Sequence, residues 1–251
     1  VPTLFRRMLA LADGKSLLFP DLRMLISSGS ILHGDEREAI KRNLNPHFVN
    51  LYSSTEGGGV AVLAPSDPPE KAASVGRAAY RNEFQVVDEN DEPVSPEAVG
   101  RIRQRAPWLP DGFYNNEEET KKAFVGGWYY TGDLGRVDAQ GYLYVVGRVK
   151  DMIIRGGINI YPAEIEDLLC KNETVHDAAV VAWPSKELGE EVAAFVVADG
   201  EADGAALIAY CRGALAPYKV PKAVFFIDDL PKSAQGKVLK NDLVERLPAQ
   251  D

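Results

Sequence analysis

The sequence lacks the features that would place the protein in a membrane, in an oxidising compartment or on nucleic acid. Its 251 residues contain no apolar run long enough to span a bilayer and no recognisable signal peptide. The net charge of −9 argues against nucleic acid or an anionic membrane surface as the main partner. The two cysteines, Cys170 and Cys211, fall in predicted amphipathic helices, which favours buried, reduced thiols and a cytoplasmic location.

The sequence is also poor in histidine. His33, His47 and His176 are scattered and show no metal-ligand spacing, so we predict no structural metal site. There is no internal repeat and no low-complexity tract. The apolar content of 45% and the charged content of 26% are ordinary for a soluble globular protein, and the length allows one or two domains with real cores.

The apolar pattern divides the chain into an α/β part, a β-rich part and an α+β part. In the first part, the pattern predicts a strand, a helix and a second strand. This order is typical of the end of a parallel sheet, whose strand-end loops bind ligands. From about Gly76, short strands with hairpin connections predict a barrel-like β subdomain over residues 76–148. After Lys150, alternating helices and strands predict a compact α+β unit. We therefore expect one domain over residues 1–149 and a smaller one over residues 150–251.

The stretch from Tyr142 to Glu166 joins the last two parts. Its sequence, YLYVVGRVKDMIIRGGINIYPAEIE, begins as a strand, breaks at Gly147 into a charged link, and continues into an apolar run and two glycines. Pro162 then opens a helix. A linker, a hairpin and a helix start would account for the glycines and the proline, but less well for so many charges beside a strand end.

Three further motifs occur in the chain: YSSTE at 52–56, YYTGDLG at 129–135 and PKSAQGKVLK at 231–240. GRVKDMI at 147–153 lies between the second and the third of them, and the four motifs in chain order resemble those of the adenylate-forming enzymes: acyl-CoA synthetases, adenylation domains of peptide synthetases and beetle luciferases. The resemblance covers nearly the whole chain, and four ordered motifs argue strongly against coincidence. It implies the end of a large α/β domain with a β-barrel-like subdomain, followed by a small mobile α+β C-terminal domain.

The YSSTE motif implies a place for the phosphates. By resemblance, Tyr52 flanks the adenine, Thr55 contacts phosphate and Glu56 binds Mg²⁺, because a hydroxyl can hold a phosphate oxygen and a carboxylate a metal ion beside it. Gly29 and Ser30 match the adenine-side loop of the family less specifically. The alternatives are a polar strand-end loop with Glu56 solvated, and a simple turn at Gly29 and Ser30.

The YYTGDLG motif implies a ribose site. Asp133 lies in a predicted glycine-framed turn, and the family assigns it to the ribose hydroxyls. The alternative is a turn aspartate that bonds to its own backbone. Arg148 would add a fork of donors to the ribose or the phosphate, although it could also be a surface arginine at a domain joint.

The last two motifs imply functions for the small domain. By resemblance, Lys237 enters the active site and stabilises the charge that develops when a carboxylate meets the α-phosphate; alternatively it is a solvated loop lysine. By the same resemblance, Lys150 would be the hinge about which the small domain rotates, and Gly156 and Gly157 would line the channel for the pantetheine thiol.

The resemblance implies an acid–thiol ligase that uses ATP, Mg²⁺ and coenzyme A to convert a carboxylic acid into its CoA thioester. The glycines at 57–59 would leave space near the adenylate, which is compatible with fatty or aryl acids, and we favour fatty acids. Two alternatives stay open: an adenylation domain that loads a carrier protein, and a non-catalytic nucleotide-binding relic. The chain starts at Val1 and has no glycine- and threonine-rich phosphate loop, so we interpret it as the C-terminal part of a longer enzyme, inactive by itself.

Overall fold

A computed structural model describes residues 2–30, 32, 34–198, 200, 202–233 and 236–249 of the chain. The chain divides into two compact units, Val1–Val145 and Val146–Asp251. The boundary that the sequence predicts, between residues 149 and 150, falls inside the second unit, and the assignment of these units as functional domains stays a prediction. No helix in the described part of the chain has both the length and the apolar character needed to cross a bilayer.

The first unit begins with an α/β layer. Its elements are α1 (Pro2–Leu9), β1 (Leu25–Ser27), α2 (Gly34–Asn43), β2 (Phe48–Ser54), β3 (Gly58–Leu63) and β4 (Arg77–Ala78). Strands β1 and β2 are parallel, and β3 and β4 add antiparallel neighbours in the order β1-β2-β3-β4. Phe5, Ile40, Leu44 and Phe48 form a buried cluster that joins the two helices to β2. The parallel pair brings the carboxyl ends of β1 and β2 to the same edge of the sheet.

A second sheet forms the β-rich part of this unit. Its elements are β5 (Glu83–Val87), β6 (Gly100–Arg105), α3 (Glu117–Ala123), β7 (Phe124–Val125), β8 (Trp128–Val137) and β9 (Leu143–Arg148). The strand order is β5-β6-β8-β7, with β9 paired to β8. Val60 and Ala61 of β3 share a core with Val86, Ile102 and Leu143 of this sheet. The shared core makes the two sheets a half-barrel; the sequence predicts a barrel-like form but places it within residues 76–148, whereas β3 also contributes to this core.

The second unit is an α+β body around one five-stranded sheet. Its elements are β10 (Ile153–Arg155), β11 (Ile158–Ile160), α4 (Pro162–Leu169), β12 (Val175–Ser185), β13 (Gly189–Ala198), α5 (Gly204–Ala214), β14 (Ala223–Phe226) and α6 (Lys240–Val244). The order is β11-β10-β13-β12, and β14 joins β13 in parallel. Alternate residues of β12 face two different cores: Val180 packs with α4 and α5, whereas Val181 packs with Leu230 and Leu243. Because both faces are covered, β12 and β13 are nearly continuous apolar runs.

The cysteines do not both follow the prediction. Cys211 is fully buried in α5, but Cys170 is exposed. Cys170 follows the last residue of α4, Leu169, which is the end of the apolar stripe that faces the sheet. The helical period that predicts burial therefore stops one residue too early to include this thiol.

Candidate active site

The loop after β1 lies against the end of β2. Gly29 and Ser30 are exposed directly after β1, and Gly29 has a φ of +97°, a backbone conformation that favours glycine. The hydroxyl oxygens of Ser28 and Ser53 are 2.7 Å apart. Since β1 and β2 are parallel neighbours, this contact brings the predicted adenine-side loop to the strand that carries Tyr52.

Tyr52 is joined to Asp133 across the two sheets of the first unit. The Tyr52 hydroxyl lies 2.5 Å from Asp133 Oδ2 and 3.2 Å from Thr131 Oγ1, and can donate to either. Thr131 in turn can donate to the carbonyl of Ile102 at 3.2 Å and accepts the Asp133 N–H at 3.1 Å. Burial, reinforced by the Asp133 carboxylate, raises the pKa of Tyr52 above its ordinary value. Tyr52 is therefore a hydrogen-bond donor to Asp133 at physiological pH.

Asp133 lies in a β-bulge, and not in the turn that the sequence predicts. On β6, Arg101 pairs with Leu134 and Arg103 pairs with Tyr130, so the three residues 131–133 oppose Ile102 alone. Gly132, with a φ of +78°, supplies the left-handed conformation within the bulge. A bulge changes the direction in which a strand presents its side chains. Here it places Asp133 within reach of Tyr52.

Thr55 and Glu56 lie in the turn between β2 and β3, and both are exposed. The N–H of Gly57 donates to the Ser54 hydroxyl at 2.9 Å, which closes the turn. The Tyr129 hydroxyl lies 3.4 Å from Glu56 Oε2. Burial raises the pKa of Tyr129; a bond with Ser54 opposes the rise, and the Glu56 carboxylate adds to it. Tyr129 therefore reaches the Glu56 carboxylate as a neutral donor.

The glycines after Glu56 do not leave the open space that the sequence suggested. A Cβ on Gly57 would stand 1.8 Å from Gln104 Nε2 and 2.9 Å from the Tyr129 ring, and one on Gly58 would stand 2.8 Å from Trp108 Nε1. The expectation is wrong at these two positions, because Gln104 and Tyr129 of the second sheet, and Trp108 in the loop after β6, already fill the space. Glycine is required here by close packing.

A magnesium ion would be held at this turn by few protein ligands. The described residues contain no group of three or more His, Cys, Asp or Glu side chains that could hold a metal by themselves. Mg²⁺ commonly takes one or two carboxylates together with substrate phosphates and water. The exposed carboxylate of Glu56, beside the Thr55 hydroxyl, fits a metal bound in that way.

The other predicted site residues belong to the second unit. Arg148 is exposed at the end of β9, and Lys150 is exposed in the short 3₁₀ turn Val149–Asp151 that follows. Gly156 and Gly157 are the two-residue turn between β10 and β11, with φ values of +56° and +81° that suit a tight hairpin. A Cβ on Gly157 would meet no atom within 4 Å. One on Gly156 would stand 3.3 Å from Leu188 Cδ2, and the Gly156 N–H donates to the Leu188 carbonyl at 2.8 Å, so only the Gly157 side of the turn is open.

Lys237 lies in a closed loop near the end of the second unit. Lys232 and Val238 form an antiparallel bridge, and the N–H of Ser233 donates to the Lys237 carbonyl at 2.8 Å. The Lys237 side chain is exposed. Two residues of the motif, Ala234 and Gln235, lie outside the described part of the chain.

The structure thus brings together six of the predicted residues in the first unit: Gly29, Ser30, Tyr52, Thr55, Glu56 and Asp133. Sequence reasoning missed two partners in that group, Thr131 and Tyr129. Both stand in the YYTGDLG motif, and the alternation of a strand would have placed them on one face of β8 with the bulge. The sequence pattern does not indicate which residues of β2 and the following turn these two side chains contact.

Comparison with known proteins gives the family of the chain. Residues 1–114 match the family described as AMP-binding enzyme, and residues 164–237 match the AMP-binding enzyme C-terminal domain. The chain belongs to the AMP-binding enzyme family. Within that family it is 37% identical over 246 residues to indoleacetate–CoA ligase of Aromatoleum aromaticum, covering 97% of this chain and 48% of the relative. It is 36% identical over 251 residues to the long-chain-fatty-acid–CoA ligase FadD13 of Mycobacterium tuberculosis, covering 99% and 50%.

Other relatives in the AMP-binding enzyme family are named feruloyl-CoA synthase and 2-succinylbenzoate–CoA ligase. Among solved structures, ATP-bound MatB from Rhodopseudomonas palustris superposes with a TM-score of 0.87 at 32% identity, covering 97% of this chain and 49% of that one. The predicted fold class is confirmed by this likeness. The chain spans about half the length of the curated relatives it matches.

Proposed function

We propose that this chain serves an acid–thiol ligase that joins a carboxylic acid to coenzyme A at the expense of ATP. In the first step a carboxylate oxygen attacks the α-phosphorus of ATP, the bond to pyrophosphate breaks, and an acyl-adenylate forms. In the second step the CoA sulfur loses its proton and attacks the acyl carbon, and AMP leaves. Membership of the AMP-binding enzyme family and relatives named as CoA ligases support this assignment.

The observation that carries the proposal is the pair of carboxylates presented by the first unit. Asp133, held by Tyr52, would accept hydrogen bonds from the ribose hydroxyls, while Tyr52 flanks the adenine beside Gly29 and Ser30. Glu56 and Thr55, exposed in the β2–β3 turn, would face the phosphates. Mg²⁺, held by Glu56 and phosphate oxygens, would neutralise part of the phosphate charge.

The second unit would act in both steps. The Lys237 ammonium would stabilise the negative charge that develops between the carboxylate and the α-phosphate, and Arg148 would donate to the ribose or phosphate. Lys237 is exposed and has no ion-pair partner among residues 2–30, 32, 34–198, 200, 202–233 and 236–249. After adenylation, rotation about Lys150 would exchange Lys237 for the Gly156–Gly157 turn, which would line the thiol channel.

For the acid, we propose the fatty-acid class first. FadD13 is named for long-chain fatty acids, but other relatives are named for indoleacetate, ferulate and 2-succinylbenzoate. A panel of fatty, aryl and dicarboxylic acids, scored by pyrophosphate release, separates these classes. Strongest release with an aryl acid would replace the fatty-acid assignment and leave the ligase reaction unchanged.

The two-step mechanism is tested by single-turnover kinetics of each half-reaction in the full-length enzyme, meaning this chain with any sequence its gene encodes before Val1. Lys237→Ala should slow adenylation on the order of 10²-fold, as for loss of one transition-state donor, and spare thiol attack on supplied acyl-adenylate. Gly157→Trp should do the reverse, because a bulky ring would fill the thiol channel. Lys186→Ala, at an exposed lysine of the same unit, is the matched control.

Each alternative function predicts its own result. If acyl-adenylate forms but discharges only to a carrier protein, the chain serves a carrier-loading domain. If no acid in the panel releases pyrophosphate, the non-catalytic relic gains support. If Lys237→Ala damages the thiol step as severely as adenylation, the two-pose mechanism is wrong.

A further inference from the structure

Three lysines share the motif near the end of the second unit, and the structure separates them into two classes. Lys232 Nζ lies 2.7 Å from Asp177 Oδ2, and Lys240 Nζ lies 2.6 Å from Glu166 Oε1. Lys237 stands between these two anchored lysines and has no carboxylate partner in the described part of the chain. The motif therefore joins one exposed cation to two cations that are fixed to the body of the unit.

The two acids are themselves held by the sheet. Glu166 Oε1, on α4, also accepts the N–H of Val180 in β12 at 2.8 Å. Asp177 is at the start of β12, and its Oδ1 accepts the N–H of Ala178 at 3.0 Å. Lys240 adds a bond to the carbonyl of Val180 at 3.0 Å. Each carboxylate thus connects a motif lysine to β12, the edge strand of the sheet that pairs with β13.

Between the anchors the loop is closed on itself. The N–H of Leu239 donates to the Pro231 carbonyl, and the N–H of Gly236 donates to the Ser233 carbonyl, each at 2.8 Å. Val238 packs against the core that contains Leu230 and Leu243, and the two ion pairs add polar anchors at either end of the loop. A long, flexible lysine side chain reaches a fixed point only if its backbone is fixed.

We propose that Asp177 and Glu166 are positioning residues, which hold the Lys237 loop through Lys232 and Lys240 so that the Lys237 ammonium meets the α-phosphate in one geometry. The catalytic part of this inference rests on the proposed function, whereas the ion pairs do not depend on it. The Lys240–Glu166 pair is the more buried, with side chains 19% and 21% exposed against 37% and 26% for Lys232–Asp177. Glu166 should therefore contribute more than Asp177.

The first readout is amide hydrogen exchange of the chain, which needs no activity. Glu166→Gln and Asp177→Asn keep the shape of each side chain and remove its charge. Both should speed exchange at Ser233, Gly236 and Leu239 by about tenfold, because the loop opens locally more often. Amides of β13 should be unaffected.

The second readout is the rate of each half-reaction in the full-length enzyme. Glu166→Gln should lower kcat for adenylation about tenfold, since displacement of a reacting group by a fraction of an ångström is costly, with little change in the KM for ATP. Thiol attack on supplied acyl-adenylate should stay within about twofold, because Lys237 is not used in that step. A charge exchange tests the pair directly. Asp177→Lys and Lys232→Asp should each lower the rate of adenylation, and the double variant that combines them should regain part of the lost rate.

The matched control is Glu164→Gln. Glu164 is on the same helix and pairs with Lys219 at 2.6 Å, and within the described residues no hydrogen bond or ion pair joins either of them to the motif loop. It should leave both exchange and adenylation unchanged. A fall in both half-reactions alike, or faster exchange with normal adenylation, would overturn the positioning role. We call the hold of the Lys232–Asp177 and Lys240–Glu166 ion pairs on the loop the clamp. Unchanged amide exchange in both Glu166→Gln and Asp177→Asn would show that there is no such clamp.

Failure of the proposed function is distinguishable from failure of the clamp. If the wild-type enzyme makes no acyl-adenylate from any acid, the proposed function and the catalytic role of Glu166 and Asp177 fall together. The exchange measurement on the same protein still decides whether the two acids hold the loop.

Discussion

At the scale of single residues, the most informative contact is the one between Tyr52 and Asp133. The two residues are 81 positions apart, and each belongs to a different motif. The bond fixes one oxygen of the carboxylate that we assign to the ribose. Tyr52 would therefore act on the nucleotide in two ways, by flanking the adenine and by orienting Asp133.

Replacing Tyr52 with phenylalanine tests that second role. The ring is kept and the donor to Asp133 is lost; because a hydrogen bond to a charged group contributes roughly 1.5–3 kcal/mol, the KM for ATP should rise about tenfold or more. The change in kcat should be smaller. Steady-state ATP–pyrophosphate exchange in the full-length enzyme measures both, with Tyr80→Phe as the control, because Tyr80 is 86% exposed. An unaltered KM for ATP would show that the bond does not orient Asp133 for the nucleotide.

At the scale of elements, the sequence predicts the strands and helices better than their irregularities. The strand expected at 84–87 is β5, and the helix expected at 163–171 is α4, since alternation and helical period report which face is buried. The bulge at Asp133 could not be predicted. Thr-Gly-Asp suits a turn equally well, and only the pairing of β8 with β6 decides between the two. The same applies to Gly57, whose close neighbours come from the second sheet.

The β2–β3 hairpin offers a pair of glycines for a steric test. Gly57→Ala places a methyl group against the buried Gln104 and Tyr129 side chains, and overpacking of this kind costs about 1–3 kcal/mol. Gly59→Ala is the control, since its Cβ would meet Leu51 at an ordinary 3.4 Å. Urea unfolding of the chain measures the difference. Equal stability of the two variants would mean that the packing around Gly57 adapts readily.

The connection between β8 and β9 offers a test by pH. Burial of Asp138 opposes its ionisation, but the Lys71 ammonium at 2.7 Å and the N–H groups of Tyr142 and Gln140 outweigh it and lower the pKa of Asp138 to about 2. A lowered folded-state pKa contributes stability that is present above the unfolded value of 3.8 and is lost as the pH falls through about 2.

Lys71→Met should therefore destabilise the chain at pH 6, and the difference from wild type should shrink as the pH falls from 4 towards 2. Urea titrations at several pH values measure this difference. Lys121→Met breaks an exposed pair with Glu117 and should show little effect at any pH. A difference between Lys71→Met and wild type that is constant with pH would show that the lysine acts by packing alone.

At the scale of the whole molecule, the chain is two bodies joined near the end of β9. Each body has its own buried cores, and the predicted site residues are divided between the two. The sequence predicts this division through the charged stretch after Gly147. It does not reveal which residue ends the first body, because β9 continues as one strand across the boundary.

Lys150→Pro tests the proposed rotation. Proline fixes one backbone angle and disfavours the helical conformation of Val149, the first residue of the exposed 3₁₀ turn. In the full-length enzyme, thioester formation should slow while adenylation is largely kept. Lys150→Ala is the control, because it removes the side chain and leaves the backbone free. Equal loss of both half-reactions in Lys150→Pro would indicate a general folding defect and count against the hinge.

The exposure of Cys170 makes this chain accessible to site-selective chemistry. It has only two thiols, and since Cys211 is fully buried, a maleimide dye should attach to Cys170 alone without any prior cysteine removal. Although the residue is exposed, desolvation of its sulfur by the surrounding chain, with the Asp177 and Glu166 carboxylates nearby, raises the pKa of the Cys170 thiol to about 11, so labelling should be slow at neutral pH and faster in mild alkali. A fluorophore there would stand on the second unit beside both carboxylates of the proposed clamp. Its emission could then report movement of that unit in real time as each substrate is added.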